Sequence, residues 1–354
     1  MTALTVPATP DADAGPRPLP WRRMAGVIWR QHRFALAGVA VLLGAVAVLL
    51  WIAGTTIHQS YANALACGSS GSVACQQKDL AFLGSYGFLS NGIILQALPV
   101  LIGAFIGAPL LAREMETGTF RYAWTQGFGR WRWALAKLMS LAVAVTVPAY
   151  LFSLVLSWYY QPYFATENQP LGLTEYTPFV PGLFDLHGVA FAGWTLAAFA
   201  IGALAGMLIR RVVPAIAATL AAYAGLAFAA ATLLREQYLA PLVTTSASLP
   251  GSAWILGQWW TKGGVTLGPA AVDQAINSAW LKVNNPTQSG GGGGKYADYL
   301  RVVRYLSQHG YTYWTRYQPG SRFWPFQWIE SGWLLALSVL LIAVTVWLVR
   351  RRAA

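Results

Sequence analysis

The sequence predicts an all-α integral membrane protein with six transmembrane helices. Three observations carry this prediction: the composition, six windows without charge, and the placement of the basic residues. Only 10% of the 354 residues are Asp, Glu, Lys or Arg, whereas 56% are apolar. Soluble domains usually carry roughly 25% charged residues. The chain therefore has too few charged groups to cover a water-soluble surface.

Six windows lack Asp, Glu, Lys and Arg and are long enough to cross a bilayer. They are 34–57, 80–112, 138–166, 186–209, 212–234 and 331–349. A helix rises about 1.5 Å per residue, so roughly 20 apolar residues cross a hydrocarbon core of roughly 30 Å. One Lys or Asp at mid-membrane costs about 2.5–3.5 kcal/mol, so each window predicts one transmembrane helix. We name these helices span one to span six.

The basic residues lie on one side of the predicted spans. That side carries Arg17, Arg22, Arg23, Arg30, Arg33, Arg113, Arg121, Arg130, Arg132, Lys137, Arg210, Arg211, Arg350, Arg351 and Arg352. An excess of Lys and Arg marks cytoplasmic loops. We therefore expect a plasma-membrane protein with both termini in the cytoplasm. The net charge of +12 lies beside hydrophobic runs, not in a basic stripe with stacking aromatics, so nucleic-acid binding is not expected.

The chain before span one divides into two parts. Residues 1–20 are rich in Pro, Ala and Asp and lack a periodic apolar face, which predicts a disordered cytoplasmic tail. In 21–33, apolar residues recur near helical spacing among arginines, which predicts an amphipathic interfacial helix. A basic flank that only sets orientation is the alternative. Span one is expected to be retained and not cleaved, because its apolar stretch exceeds a usual signal core.

Two cysteines, Cys67 and Cys75, fall in the loop expected outside the cell, where thiols can oxidise. A disulfide between them is favoured, and two free thiols are the alternative. Within the spans, Gly103 and Gly107, and likewise Gly202 and Gly206, have the spacing that permits close helix contact, so we expect a compact bundle.

The expected domains are the tail 1–20, the interfacial helix 21–33, spans one to five in 34–234, an extracytoplasmic segment 235–328, and span six with a basic cytoplasmic tail in 329–354. The extracytoplasmic segment is too long for a plain connection and predicts a small subdomain. Helical spacing of Tyr296, Tyr299, Leu300, Val303 and Leu306 predicts an amphipathic helix within it.

No catalytic or metal-binding motif stands out. The four histidines are scattered, and the glycine run before Lys295 lacks the residues of a phosphate loop. The polar residues Asp185, His187 and Glu330 fall at the outer ends of spans, where we expect them to cap helices or bind interfacial water. With no ionisable residue expected at mid-membrane, an ion-driven carrier is disfavoured. The sequence thus predicts neither an enzyme nor a cofactor in this chain.

The segment after span two reads, from Arg113 to Gln126, REMETGTFRYAWTQ. With RVVPA at 211–215, YQP at 317–319, RFWPFQ at 322–327 and Glu330, it resembles the ABC type-2 transporter permease family of actinobacteria. The resemblance implies a six-helix ABC type-2 bundle with an N-terminal elbow helix. It also implies that the connection after span two forms a coupling helix, which docks on a separate ATP-binding subunit that holds ATP and Mg.

The resemblance assigns eight residues to the coupling helix: Glu114, Glu116, Thr117, Gly118, Thr119, Arg121, Trp124 and Gln126. Carboxylates and hydroxyls can cap the start of a helix, and Gly118 permits a sharp turn before it. The alternative is a basic loop that only fixes topology.

The implied function is the transmembrane subunit of an ATP-driven exporter, paired with a second permease subunit, identical or not. An amphipathic or apolar substrate is expected, because the spans are aromatic-rich and largely uncharged. The competing hypothesis is a membrane-anchored enzyme or binding protein that acts through 235–328.

Overall fold

A computed structural model describes residues 21–67, 73–84, 92, 94–118, 130–164, 177–246, 249–250, 252–283 and 295–352. Among them, six helices are long and apolar enough to cross a membrane, which confirms the predicted all-α membrane bundle. The six helices are span one, Trp21–Leu65; span two, Ala97–Thr117; span three, Arg130–Phe164; span four, Ala190–Ile209; span five, Val212–Gln237; and span six, Phe323–Arg352. The expected tail, 1–20, lies outside the described residues.

Span one is one continuous helix of 45 residues. At about 1.5 Å per residue it is roughly 70 Å long, more than twice the hydrocarbon thickness. No break in the helix marks the expected boundary at residue 33, because 21–33 and the span belong to the same helix. Gly26 has the lowest helix propensity in 21–33, and no proline lies there to bend the helix.

Span two contains an irregular turn at its middle. It is α-helical over Ala97–Ile102, π-helical over Gly103–Gly107 and α-helical again over Ala108–Thr117. The N–H of Ala108 donates to the carbonyl of Gly103, five residues earlier. Pro109 follows directly and has no N–H to donate to the carbonyl four residues earlier. The wider π-helical turn therefore lies where the regular hydrogen bonds of the α-helix are interrupted.

Span four lies at the centre of the bundle, packed against spans two, three, five and six, while span one packs on span three. Its contact with span two is close. A Cβ on Gly107 would lie 2.5 Å from the carbonyl oxygen of Phe199, and a Cβ on Gly202 would lie 2.5 Å from that of Gly103. The two glycine pairs therefore face each other within one chain, as close helix packing requires.

Between spans five and six the chain forms a four-stranded antiparallel sheet with strand order β1-β4-β2-β3. The strands are β1, Leu242–Thr244; β2, Trp254–Lys262; β3, Val265–Thr266; and β4, Tyr311–Gln318. Helices α2, Pro269–Val283, and α3, Lys295–Gln308, share a core with one face of the sheet. Helix α1, Val73–Gly84, lies between spans one and two.

The helix expected from Tyr296 to Leu306 therefore falls in α3, where Val302, Val303 and Leu306 are buried against Trp260. The sheet was not predicted. Its two long strands pair Trp260 with Tyr313 and Trp259 with Trp314, and such aromatic pairs stabilise neighbouring strands.

Candidate functional site

The bundle carries charged clusters at two opposite ends. The basic end holds the end of span two, the start of span three and the junction of spans four and five at Arg210 and Arg211. The sheet end holds Asp185, Arg235, Glu330 and the four-stranded sheet. We describe the basic end first, because the predicted coupling residues lie there.

Span two ends at Gly118, which has a φ of 72°. A glycine in this left-handed conformation is a common helix stop. Just before it, the hydroxyl of Thr117 donates to the carbonyl of Arg113 at 2.8 Å, a bond within the last turn. Glu114, Glu116 and Thr117, which were expected at the start of a coupling helix, therefore lie in the last turns of span two.

The other four predicted coupling residues are Thr119, Arg121, Trp124 and Gln126, and they lie outside the described residues. In the sequence they belong to the connection that leaves span two at Gly118 and reaches span three at Arg130.

Glu114 forms an ion pair with Lys137 of span three. The lysine side chain is only 1% exposed, and its Nζ also lies 3.5 Å from the carbonyl of Leu110 and 5.0 Å from the ring centroid of Trp133. The amide of Gln31 donates to the same Glu114 oxygen at 3.4 Å. The Glu114 carboxylate thus joins spans one, two and three. From the sequence alone, Lys137 was assigned only to the group of basic residues that sets the orientation of the chain.

Glu116 does cap a helix, but a different one from that expected. Its Oε2 accepts the backbone N–H of Val212 at 3.2 Å. Val212 is the first residue of span five, and a carboxylate at a helix N-terminus satisfies a free donor and favours the helix dipole. The end of span two is therefore tied to the start of span five.

At the sheet end, Arg235 is fully buried between two carboxylates. Its Nε donates to Glu330 at 3.0 Å and its Nη2 to the other Glu330 oxygen at 2.7 Å, while Nη2 also donates to Asp185. The guanidinium carbon lies 4.2 Å from the ring centroid of Phe184. Such paired, charge-assisted hydrogen bonds are among the strongest in proteins. Arg235 follows directly on a π-helical turn, Ala230–Leu234.

Aromatic donors complete this network. The indole of Trp194 donates to Glu330 at 2.8 Å and the hydroxyl of Tyr238 donates to its other oxygen at 3.1 Å. The indole of Trp333 in turn donates to the Tyr238 hydroxyl at 2.8 Å. The network joins spans four, five and six. The expectation that Asp185 and Glu330 cap helices or bind interfacial water is wrong, because both bind Arg235.

Two residues before span four have ionisation shifted by burial. Burial raises the pKa of the Asp185 carboxyl to about 8, with the Glu330 charge acting in the same direction and Arg235 opposing it. Burial lowers the pKa of His187 to about 4. The Nδ1–H of His187 donates to the carbonyl of Leu183, and its ring makes edge-on contacts with the rings of Tyr160 and Phe164. His187 is therefore a buried neutral histidine and not an interfacial cap.

The remaining predicted pair is joined in the structure: Cys67 and Cys75 form a disulfide that links the end of span one to α1. Within the described part of the chain, no group of three or more His, Cys, Asp and Glu residues could hold a metal ion.

Six apolar helices whose buried charges pair with one another define a multi-pass membrane protein. The chain belongs to the ABC-2 membrane transporter related family, whose model matches residues 39–235. The match begins within span one, runs to Arg235 near the end of span five, and confirms the resemblance to ABC type-2 permeases. Permeases of this family are membrane subunits of ABC transporters and normally work with an ATP-binding subunit. No curated protein and no solved structure matches the chain.

Proposed function

We propose that this chain is the transmembrane subunit of an ABC exporter, which moves an amphipathic or apolar compound across the plasma membrane. A separate subunit binds ATP and Mg and hydrolyses the ATP. The observation that carries the proposal, beyond the family, is the attachment of the end of span two to spans one, three and five through Glu114 and Glu116.

This attachment suits the transmission of force. The connection 119–129 leaves from Gly118, directly after the two carboxylates. A displacement of that connection would act on span three through Lys137, on span five through Val212 and on span one through Gln31. Residues Thr119, Arg121, Trp124 and Gln126 of the connection are the proposed contacts with the ATP-binding subunit.

The placement of basic residues supports an orientation with the basic end in the cytoplasm and both termini there. The ATP-binding subunit then docks at the basic end, and the sheet between spans five and six faces outward. A second permease subunit, identical or different, completes the translocation pathway.

The buried charges favour ATP over an ion gradient as the energy source. Ion-coupled carriers place ionisable groups inside the bundle, free to bind the driving ion. Among the described residues, Lys137 is bound to Glu114 at one end, and Arg235 is bound to Glu330 and Asp185 at the other. These groups hold helices together, so they do not provide a mid-membrane ion site.

The test is to purify the tagged chain with the ATP-binding protein encoded beside it and to measure ATP-dependent export in sealed vesicles. Glu116→Arg places a positive charge at the start of span five and should reduce both co-purification and export. Glu236→Arg makes the same change at an exposed glutamate of the sheet end and should leave both unchanged.

Export that survives removal of the ATP-binding subunit but stops with a protonophore would reject the proposal in favour of an ion-driven carrier. An activity that needs only the outward segment 235–328 would instead support the anchored enzyme or binding protein.

A further inference from the structure

A pocket of about 620 Å³ lies between spans one, two and three at the basic end. This volume falls within the range of roughly 300–1,000 Å³ that is usual for small-molecule sites. All its lining residues belong to the three spans, and Phe34, Phe105 and Ile106 among them fall in the charge-free windows that predict the membrane crossings.

The pocket changes from apolar to polar along span two. Phe105 and Ile106 line one part, and Arg113 and Glu114 line the other. Eight residues separate Phe105 from Arg113, which corresponds to roughly 12 Å along a helix. The polar part lies toward the end of the span and the apolar part toward its middle. This is the polarity of a lipid, with its headgroup at the surface and its chains in the core.

The apolar part opens sideways. Phe34 of span one is 77% exposed and Phe105 of span two is 63% exposed, and both line the pocket. In a bilayer, side chains exposed at this level face acyl chains. A lipid tail can therefore enter the pocket from the membrane without crossing water.

The polar part carries an excess positive charge. Lys137 is balanced by Glu114, whereas the exposed Arg113 has no acidic partner within the described part of the chain. The Nε2 of His32, which lines the same part, is buried and has no hydrogen-bond partner among the described residues. Arg113 supplies a positive charge and His32 supplies a ring nitrogen without a partner, and apolar side chains line the pocket beside them. This combination matches an anionic phosphate headgroup with an acyl chain attached.

We propose that this pocket binds one anionic phospholipid. Its phosphate contacts Arg113 and His32, and one acyl chain lies along Phe105, Ile106 and Phe34. Glu114 and Lys137 of the proposed coupling attachment also line this pocket. The binding of the lipid nevertheless does not depend on the proposed export cycle, because it needs only that the chain lies in a bilayer.

The experiment uses the full chain purified in a neutral detergent. Phosphatidylglycerol, phosphatidylcholine with the same acyl chains, and glycerol phosphate are each added, and bound molecules are counted by native mass spectrometry. The midpoint of thermal unfolding is followed in parallel, since a ligand that binds only the folded state raises it. One tightly bound phosphatidylglycerol and no comparable phosphatidylcholine is the expected result. Glycerol phosphate binding as tightly as the lipid would show a phosphate site without a chain and would reject the lipid.

Two matched pairs of variants locate the site. Arg113→Gln should weaken phosphatidylglycerol binding about tenfold, the effect of losing one charge-assisted hydrogen bond. Arg132→Gln removes a nearby arginine that does not line the pocket and should change little. Ala35→Phe fills the pocket and should abolish tight binding. Ala37→Phe, at a position on the same helix that is also exposed but does not line the pocket, should not.

Each variant is first measured without lipid, to show that it is folded. Equal losses in both members of each pair would indicate general attraction of lipid to a basic surface and would overturn the proposal. Unchanged binding in both Arg113→Gln and Ala35→Phe would overturn it as well.

Discussion

Arg235 and Glu330 are joined by two hydrogen bonds, of 3.0 and 2.7 Å, although 95 residues separate them in the sequence. The arginine lies in the last turn of span five and the glutamate in the first turns of span six, so the pair closes the sheet end of the bundle across the whole segment between these two spans. Both side chains are fully buried. Water cannot reach either charged group to replace its partner. If one side chain is removed, the other remains charged in a nonpolar environment.

We predict that Glu330→Gln strongly destabilises the protein. Removing one member of a buried ion pair commonly costs about 3–5 kcal/mol, because it leaves an uncompensated charge. Here Asp185 remains beside Arg235, and loss of the Glu330 charge, which raises the pKa of Asp185, favours its ionised form, so the loss should stay near the lower value. The measurement is the midpoint of thermal unfolding in detergent, with Glu236→Gln, an exposed neighbour of Arg235, as the control. Equal midpoints for the two variants would contradict the importance of the pair.

The pKa of Asp185 predicts a dependence of stability on pH. In the unfolded chain this carboxyl titrates near its ordinary value of 3.8, and in the folded protein at about 8. Between these values the folded state holds a proton that the unfolded state releases. The contribution of this proton to the stability of the folded state is complete below about pH 4 and is lost as the pH rises to about 8.

Asp185→Asn keeps this side chain neutral at every pH and removes the effect. The midpoint of the wild type relative to the variant should therefore fall from pH 5 to pH 8 and stay level above pH 8. The titration of His187 is present in both proteins and cancels in the difference. A difference that does not change with pH would show that Asp185 is ionised throughout.

The pair at the basic end should respond unequally to loss of its two members. The Lys137 side chain is 1% exposed, whereas that of Glu114 is 12% exposed. Glu114→Met leaves a buried ammonium without its counter-charge, which should cost about 3–5 kcal/mol. Lys137→Met leaves a carboxylate that reaches water and still binds Gln31, so the loss should be smaller. The double variant should recover part of the stability, and unfolding midpoints of all three proteins decide the order.

The close approach of spans two and four predicts that Gly202→Ala is destabilising. Its Cβ would meet the backbone of Gly103 and Ala108, which cannot move aside as a flexible side chain can. Overpacking of this kind typically costs about 1–3 kcal/mol. Gly225→Ala in span five is the matched control: a Cβ there meets nothing within 4 Å, so the change should be neutral or stabilising. A loss at Gly225 equal to that at Gly202 would contradict this account.

The membrane architecture could be predicted from the sequence because its signal is local. A window without charge is a property of consecutive residues, and so is the spacing of Gly103 and Gly107. The partner of each glycine pair and the partner of Arg235 could not be predicted, because periodicity in one segment carries no information about which distant segment it meets. Arg235, Asp185 and Glu330 nevertheless offered a clue, since opposite charges ended three spans on the same side.

The sheet also has a local signal in the sequence, namely two segments whose composition favours strands. Residues 254–262 and 311–318 are rich in Trp, Tyr and Thr, which favour strands.

The sequence placed Glu114, Glu116 and Thr117 at the start of a coupling helix and not at the end of span two for another reason. A glycine after a polar turn can precede the start of a helix or end one, and only the φ of Gly118 shows that it ends span two.

The hydrogen bond from Val212 to Glu116 allows the structural and the coupling roles of this glutamate to be separated. Glu116→Gln keeps an acceptor for the N–H but loses the charge at the helix start, so stability should fall by a few tenths to about 1 kcal/mol. Glu116→Ala also loses the cap and should cost about 0.5–2 kcal/mol. Glu116→Arg adds an unfavourable charge and should be the least stable of the three. Unfolding midpoints of the purified chain give this order, with Glu236→Ala as the exposed control.

Coupling is then measured in the complex with the proposed ATP-binding subunit. If Glu116 transmits force through span five, Glu116→Gln should lower export relative to ATP hydrolysis while the chain remains folded and bound to its partner. Export and hydrolysis falling together, in proportion to the loss of stability, would restrict Glu116 to the role of a helix cap.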